Sequence, residues 1–292
     1  MKYYVVDVFA QEKYAGNQLA VFTEAGLFSD TLMQQITKEI NYSETTFITS
    51  LDLKEGGYDV RIFTPAQELP FAGHPTLGTA YILQQKIIKE RVKQVVLNLK
   101  VGQIPVTINY SSDTVEELWM QQKTPSFHQT FTPEVIADLL NLNVSDIDSR
   151  YPIQEVSTGV PFIIVPLKTQ AALKRSKVNT DKFFKLVETT LAKAVLVFCP
   201  ETYHPENQLS VRVFVDYFGI PEDPATGSAN GCLAGYLVQY SYFDAQTINL
   251  RVEQGYEIGR PSLLLLKAHQ KDNEIEIFVG GKVILIAEGS FV

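Results

Sequence analysis

The sequence is poor in cysteine and contains no long apolar segment. Two cysteines in 292 residues cannot form a disulfide framework, so we expect a reducing, cytoplasmic environment. No apolar run approaches the roughly 18 residues of a membrane-spanning helix. The first residues reach Asp7 before any segment typical of a signal peptide is complete. Acidic residues outnumber basic ones, 33 to 25, and the net charge of −8 disfavours binding to nucleic acid. We therefore expect neither a membrane nor a nucleic acid as a partner.

Motifs for common cofactors are also missing. The histidines, which are His74, His128, His204 and His269, have no Cys or His neighbour at metal-ligand spacing. The chain has no Gly-x-x-x-x-Gly-Lys loop for phosphate and no dinucleotide fingerprint after a strand. The sequence therefore predicts no metal and no nucleotide cofactor.

Short apolar segments dominate what is present. They are rich in β-branched and aromatic residues, from Tyr3–Phe9 to Val283–Ile286, and this composition favours strands. Two amphipathic helices are predicted, one capped by Asp30 and one capped by Asp181. Their predicted buried residues are Leu32, Met33, Ile36 and Ile40 in the first, and Phe184, Leu186, Val187 and Leu191 in the second. The length predicts about two domains.

Two further segments, Thr76–Leu83 and Ala229–Val238, carry no charge and are small or apolar on every side. A helix of this composition is typical of one enclosed by other elements rather than laid on a surface. We therefore expect near-complete burial of residues distributed along both helices, namely Tyr81, Leu83, Leu233 and Leu237.

An internal repeat connects these helices. Segment Val60–Phe63 recurs 151 residues later as Val211–Phe214, and Pro70 recurs at the same shift as Pro221. A third match pairs Tyr81–Leu83 with Tyr236–Val238. The last match lies 155 residues apart, which requires a four-residue insertion at the second turn. A chance match is the alternative, but the ordered series favours a tandem duplication. The sequence then predicts an α+β fold of two pseudo-symmetric domains, residues 1–122 with a final strand at about 280–292, and residues 123–279. Each is expected to be a curved, barrel-like sheet around one apolar helix, with a cleft between the domains.

The starts of the two uncharged helices are candidate anion sites. Gly73 and His74 open the first helix, and Gly227 and Ser228 open the second. Unpaired backbone N–H groups and the helix dipole attract anions there. His74 and the neighbouring Asp223 would add groups that exchange protons. The alternative for each motif is an ordinary turn with a satisfied side chain. Pseudo-symmetry predicts that both starts face one cleft and hold a small carboxylate.

Two other side chains are candidates for the same chemistry. Glu44 stands in Ser43-Glu44-Thr45, between the first amphipathic helix and a strand, where a strand end would direct it at the cleft. A carboxyl group in a water-poor site is suited to moving protons. Arg260 is either a clamp for a carboxylate or half of a structural salt bridge. On its own pattern, Glu44 is more often a solvated loop residue.

Taken together, these motifs resemble the PhzF family, the phenazine-biosynthesis-like isomerases, which are related in fold to diaminopimelate epimerase. The matching segments are Gly16-Asn17, Ser43-Glu44-Thr45, Phe63-Thr64-Pro65, Glu68-Leu69-Pro70-Phe71-Ala72-Gly73-His74-Pro75, Asp223-Pro224-Ala225-Thr226-Gly227-Ser228-Ala229 and Gln254-Gly255. The resemblance implies a homodimer and cofactor-free isomerisation by proton transfer. It implies that Glu44 moves the proton, that His74 and Asp223 assist, and that the substrate-binding positions include Ser43, Gly73 and Ser228.

One feature departs from the epimerase relatives, which use a pair of cysteines at the two helix starts. Here Cys232 lies one turn inside its helix and Cys199 ends a strand, so two-thiol racemisation is not expected. We expect an isomerase that moves a proton on a small carboxylate, with a cyclic substrate favoured. The alternatives are a lyase that begins with the same proton abstraction and a protein that binds a small anion without turnover.

Overall fold

The computed structural model describes Met1–Val292 and divides into two compact units. The first unit comprises Met1–Gln121 and Gly280–Val292, and the second comprises Gln122–Val279. None of the helices has the length and apolar character needed to cross a membrane.

The first unit consists mainly of strands. These are β1 (Lys2–Val8), β2 (Asn17–Phe22), β3 (Glu44–Ile48), β4 (Tyr58–Phe63), β5 (Glu68–Leu69), β6 (Gln94–Leu99), β7 (Gly102–Ser111), β8 (Thr114–Gln121) and, after the second unit, β18 (Val283–Ser290). Its helices are α1 (Asp30–Ile40) and α2 (Gly73–Ile82), and α2 continues into a π-helical turn at Leu83–Ile88.

The second unit has the same character. Its strands are β9 (Ser126–Phe131), β10 (Ile153–Ser157), β11 (Pro161–Pro166), β12 (Val195–Cys199), β13 (Leu209–Val215), β14 (Ile220–Asp223), β15 (Thr247–Gln254), β16 (Ser262–Lys271) and β17 (Glu274–Gly281). Its helices are α3 (Pro133–Leu139), α4 (Gln170–Arg175), α5 (Thr180–Val187) and α6 (Gly227–Gln239).

The strand order repeats from one unit to the other. In the first unit the strands pair in the order β18-β1-β2-β3-β4-β6-β7-β8, with parallel pairs at β2–β3 and β4–β6. In the second unit the order is β9-β10-β11-β12-β13-β15-β16, with parallel pairs at β11–β12 and β13–β15. A short strand, β5 or β14, adds to β4 or β13 in each unit. The fold is thus α+β, with the same sheet built twice.

Each sheet wraps around one of the two uncharged helices, as the composition predicts. Helix α2 contacts β1, β2, β3, β6, β7, β8 and β18, and α6 contacts β10, β11, β15 and β16. Leu83, Leu233 and Leu237 are fully buried. The packing on α2 is close, since a Cβ added to Gly78 would lie 2.6 Å from the Leu19 side chain.

Tyr81 departs from this expectation because it is only half-buried. The sequence match that equated it with Tyr236 is wrong by one position. Tyr236 is the tenth residue of α6, and the tenth residue of α2 is Ile82. One residue rotates a side chain by about 100° around a helix axis. Ile82 and Tyr236 therefore occupy equivalent positions and are both fully buried, whereas the Tyr81 side chain lies on a different side of its helix.

The pairing of the short strands also shows that the predicted insertion lies at a different position. Phe63 pairs with Glu68, and Phe214 pairs with Glu222 in the same way. Each central helix begins five residues after that glutamate. The extra residues of the second unit therefore lie before Glu222, where a 3₁₀ turn covers Asp216–Phe218.

It follows that the two helix starts align without a gap at a shift of 154, as Glu-x-Pro-x-x-Gly. Pro70 corresponds to Pro224 and not to Pro221. By the same alignment Asp223 corresponds to Leu69, and His74 corresponds to Ser228, so the two starts carry different side chains on the same backbone pattern.

The amphipathic helices match in part. In α1 the buried stripe is as predicted, although the N-cap is Ser29, whose hydroxyl accepts from the amide of Leu32. In α5 the cap is Asn179, and Phe183 and Val187 face the core. Of the residues predicted to be buried, Val187 is buried and Leu186 packs against the core, whereas Phe184 and Leu191 are exposed.

Candidate active site

Glu44 and His74 lie next to each other in the first unit. Atom Nε2 of His74 is 3.4 Å from Oε2 of Glu44, and the exposed fractions of the two side chains are 6% and 17%. Nε2 of His74 is buried and makes no hydrogen bond within the chain. A half-buried carboxyl group and a buried imidazole at this distance form a unit that exchanges protons when a substrate reaches it.

The fold brings these two side chains together through one strand and one helix. Glu44 is the first residue of β3 and His74 is the second residue of α2. Side chains two positions apart on a strand point to the same side. Thr46 occupies that side, and its hydroxyl is 2.8 Å from the hydroxyl of Thr79 on α2. This buried contact holds the Glu44 face of β3 against the helix.

Burial determines the charge of His74. Desolvation is the larger effect and lowers the pKa of its imidazole to about 3, while a hydrogen bond to the backbone of Gln18 acts in the opposite direction. The ring is therefore neutral at pH 7. Since Nε2 faces Glu44, we assign the bond with Gln18 to Nδ1, which leaves the lone pair on Nε2. The contact with Glu44 is accordingly not an ion pair between two charged groups.

This lowered pKa predicts how stability depends on pH. A histidine that is neutral when folded favours the native state above its unfolded pKa of about 6.5, and this contribution is lost as the pH falls toward 3. Relative to His74→Gln, the wild type should lose about 1.4 kcal/mol of unfolding free energy per pH unit below pH 6. Urea unfolding of both proteins from pH 8 to pH 4.5 measures this difference. A difference that stays constant over the range would contradict the assignment.

The other first-unit candidates adjoin this pair along the chain. Ser43 is half-buried immediately before Glu44, and Gly73 is buried as the first residue of α2. Its N-cap, Ala72, has no side chain that could satisfy the helix amides. The amides at this end are therefore not occupied by a side-chain cap, as an anion site requires.

In the second unit, Asp223 ends β14 and is almost completely buried. The hydroxyl of Thr226 lies 2.5 Å from its Oδ2. Thr226 is the N-cap of α6, and no cap hydrogen bond forms to its side chain. Gly227 is buried and Ser228 is half-buried in the first turn. Asp223 is thus held at a helix start that corresponds to the one that carries His74.

Arg260 is half-buried and closes the turn that begins at Gly255. Gly255 has a φ of +80°, and a Cβ there would lie 2.3 Å from the carbonyl oxygen of Arg260 and 2.6 Å from that of Pro224. Only glycine fits this conformation and this close contact. The backbone of Arg260 therefore packs beside the Asp223-Pro224 segment, and its role as a carboxylate clamp stays a prediction.

A bidentate ion pair braces each helix start. Arg61 donates to both carboxylate oxygens of Glu68 at 2.8 Å, and Arg212 donates to those of Glu222 at 2.9 and 2.7 Å. Each arginine also lies over a phenylalanine of its own strand. Glu222 directly precedes Asp223. The ion pair therefore fixes the strand that carries the candidate carboxylate.

Sequence reasoning did not identify the support around Asp223. Gln254 was noted only as part of the family resemblance, and Thr226 and Asn230 had no assigned role. The amide of Gln254 contacts both residues. The available signal was a glutamine at the end of a predicted strand, directly before a glycine. The spacing in the sequence does not reveal which loop the side-chain amide of this glutamine contacts.

Known proteins resemble the chain over its whole length. The family model for phenazine biosynthesis-like protein, PhzC-PhzF, matches residues 6–289. The trans-2,3-dihydro-3-hydroxyanthranilate isomerase of Pseudomonas aeruginosa is 33% identical over 289 residues, which cover 99% of this chain and 98% of that protein. The crystal structure of a PhzF-family protein from Bacillus anthracis superimposes with a TM-score of 0.91 at 27% identity, with 100% and 99% of the two chains covered.

A more distant structure extends the likeness of fold. A hydroxyproline epimerase from Agrobacterium vitis has a TM-score of 0.65 at 8% identity and covers 99% of this chain and 90% of its own. This likeness shows the epimerase-like fold alone. With the family model matched across nearly the entire sequence, the chain belongs to the phenazine biosynthesis-like PhzC-PhzF family and is an isomerase.

Proposed function

We propose that the protein relocates a proton on a small cyclic carboxylate, with Glu44 as the group that carries the proton. The observation that carries this proposal is the buried contact of 3.4 Å between Glu44 and a neutral His74. The carboxylate of Glu44 takes a proton from one carbon, and the electron pair of that C–H bond forms a new double bond while the π pair of the adjacent double bond shifts to the carbon at its far end. The protonated Glu44 then returns the proton to a second carbon, so no external oxidant or reductant is required.

His74 both holds Glu44 in place and favours its protonated form. Its neutral ring offers the Nε2 lone pair, which accepts a hydrogen bond from Glu44 in the acid form. An imidazolium at the same place would stabilise the carboxylate and oppose return of the proton. The hydrogen bond to the backbone of Gln18 keeps the ring hydrogen on Nδ1, so that Nε2 retains its lone pair.

Gly73, Gly227 and Ser228, at the two helix starts, are assigned to substrate binding, with Ser43 and Arg260 as further donors. Asp223 acts on the same substrate by orienting it and stabilising developing charge. The name of the Pseudomonas aeruginosa relative supports trans-2,3-dihydro-3-hydroxyanthranilate as the first compound to assay. The reaction needs no cofactor, so activity should survive dialysis against a chelator.

Incubation of the protein with this compound and with other cyclic carboxylates in deuterated water tests the proposal. An isomerase gives a product of substrate mass plus deuterium at the receiving carbon, because Glu44 exchanges with solvent between the two steps. A lyase gives a product that has lost its leaving group. A protein that only binds gives saturable binding without exchange, and that result with every compound would overturn the proposal.

A further inference from the structure

Gln254 occupies the centre of the hydrogen bonds around Asp223. This side chain ends β15 and is 1% exposed. Its Nε2 donates to the carbonyl oxygen of Asp223 at 2.8 Å and to the hydroxyl of Thr226 at 3.0 Å. Its Oε1 accepts from the amide of Thr226 at 3.2 Å and from Nδ2 of Asn230 at 2.9 Å. Both donors and both lone pairs of the amide are therefore used.

The backbone partners fix which end of the amide is oxygen. A carbonyl oxygen accepts only, and a backbone N–H donates only. The group facing the carbonyl of Asp223 must therefore be NH₂, and the group facing the amide of Thr226 must be oxygen. No rotation of the Gln254 amide by 180° preserves these two contacts.

This orientation determines the direction of the next hydrogen bond. The hydroxyl of Thr226 accepts from Gln254, so its single hydrogen is free to point toward Oδ2 of Asp223, 2.5 Å away. A hydroxyl that donates to a carboxylate favours the charged form. The chain of donors therefore runs from Gln254 through Thr226 to Asp223.

From this geometry we infer that Gln254 is a positioning residue, which acts through Thr226 to hold Asp223 in place as a carboxylate. The expected effect on turnover rests on the proposed catalytic role of Asp223, whereas the expected effect on the Asp223 carboxylate does not. Nearby acids have other partners: Glu222 is paired with Arg212, and Glu253 accepts from the side chains of Asn207 and Ser210. The backbone of Arg260 also packs beside this segment.

Gln254→Glu and Thr226→Val test the inference with little change in shape. A glutamate at position 254 has no donor for Thr226 and attracts its hydroxyl hydrogen away from Asp223. Valine at position 226 removes the hydroxyl. We expect each variant to lower kcat by about 10- to 100-fold, the effect of losing one hydrogen bond to a charged group, with a smaller change in KM. The double variant should lose little more than either single one, because both break the same chain.

Carbon-13 NMR of the Asp γ-carboxyl groups supplies a readout independent of turnover, with the Asp223 signal assigned from Asp223→Asn. The titration midpoint of Asp223 should move to higher pH in both variants. Gln154→Glu is the matched control, since Gln154 is a buried strand glutamine in the same unit that bonds to His128 and Tyr240. Gln154→Glu should lower stability without moving the Asp223 signal or kcat.

An Asp223 titration that is unchanged in both variants would overturn the inference, as would losses of kcat that multiply in the double variant. If Asp223→Asn itself keeps wild-type turnover, the proposed catalytic role of Asp223 fails. The NMR titration still decides whether Gln254 controls this carboxylate, so the two failures are distinguishable.

Discussion

Glu44→Gln should abolish most turnover while leaving substrate binding nearly intact. Glutamine keeps the size of the side chain and its contact with His74 but cannot accept a proton from carbon. We expect kcat to fall by roughly 10²–10⁴-fold, the usual contribution of a general acid–base group. Incubation in deuterated water should label the product carbon in the wild type and scarcely label it in the variant. Calorimetry with substrate should give a dissociation constant within a few-fold of wild type.

Glu39→Gln is the control, because Glu39 is an exposed glutamate on α1 of the same unit. It should leave kcat and labelling unchanged. His74→Asn and Asp223→Asn should reduce kcat less than Glu44→Gln, because these residues are assigned to orientation and charge stabilisation. Full labelling in Glu44→Gln would require another base, and Asp223 would then be the first candidate.

Arg212→Met should cost about 3–5 kcal/mol of unfolding free energy, the range observed when one partner of a buried ion pair is removed. The side chains of Arg212 and Glu222 are 10% and 7% exposed, so the carboxylate would remain buried without its cation. The carbonyls of Leu173 and Ser176 would also lose a donor. Equilibrium urea unfolding at pH 7 measures the loss.

Arg61→Met is the matched variant, because Arg61 makes the same bidentate contact in the first unit. Arg61 is 25% exposed, and Glu68 keeps a second cation in Lys100. The cost should therefore approach the value of about 1 kcal/mol that is typical of exposed pairs. Equal losses for the two variants would show that burial does not determine the strength of these pairs.

Composition was sufficient to predict the central helices. A segment with no charge on any side has no face that favours water, so enclosure by a sheet follows from the hydrophobic effect alone. Most strands followed from their β-branched runs in the same way, whereas β5, β9 and β14 were not predicted. By contrast, the buried face of α5 was predicted only in part. Val187 is buried as expected, but Phe183 and not Phe184 faces the core, because the two are adjacent and periodicity over two turns does not decide between them.

The candidate site was less accessible to physical reasoning. Glu44, His74 and Asp223 were each compatible with an ordinary turn or loop, and their combination became informative through the family resemblance. The contact between Glu44 and His74 joins residues 30 positions apart and depends on how β3 packs on α2. The support of Asp223 by Gln254 spans 31 positions in the same manner. No local pattern encodes either contact.

The gapless alignment of the two helix starts has an evolutionary consequence. The glutamate, the proline and the glycine that shape each start are retained in both halves, and so is the arginine that pairs with the glutamate. Next to these shared residues, one half carries Leu69 and His74 while the other carries Asp223 and Ser228. When a helix start is duplicated with its shaping residues, one copy can keep the original function while the other changes. Specificity in this chain should therefore change by exchange at these few positions, with the ion pairs around them left unaltered.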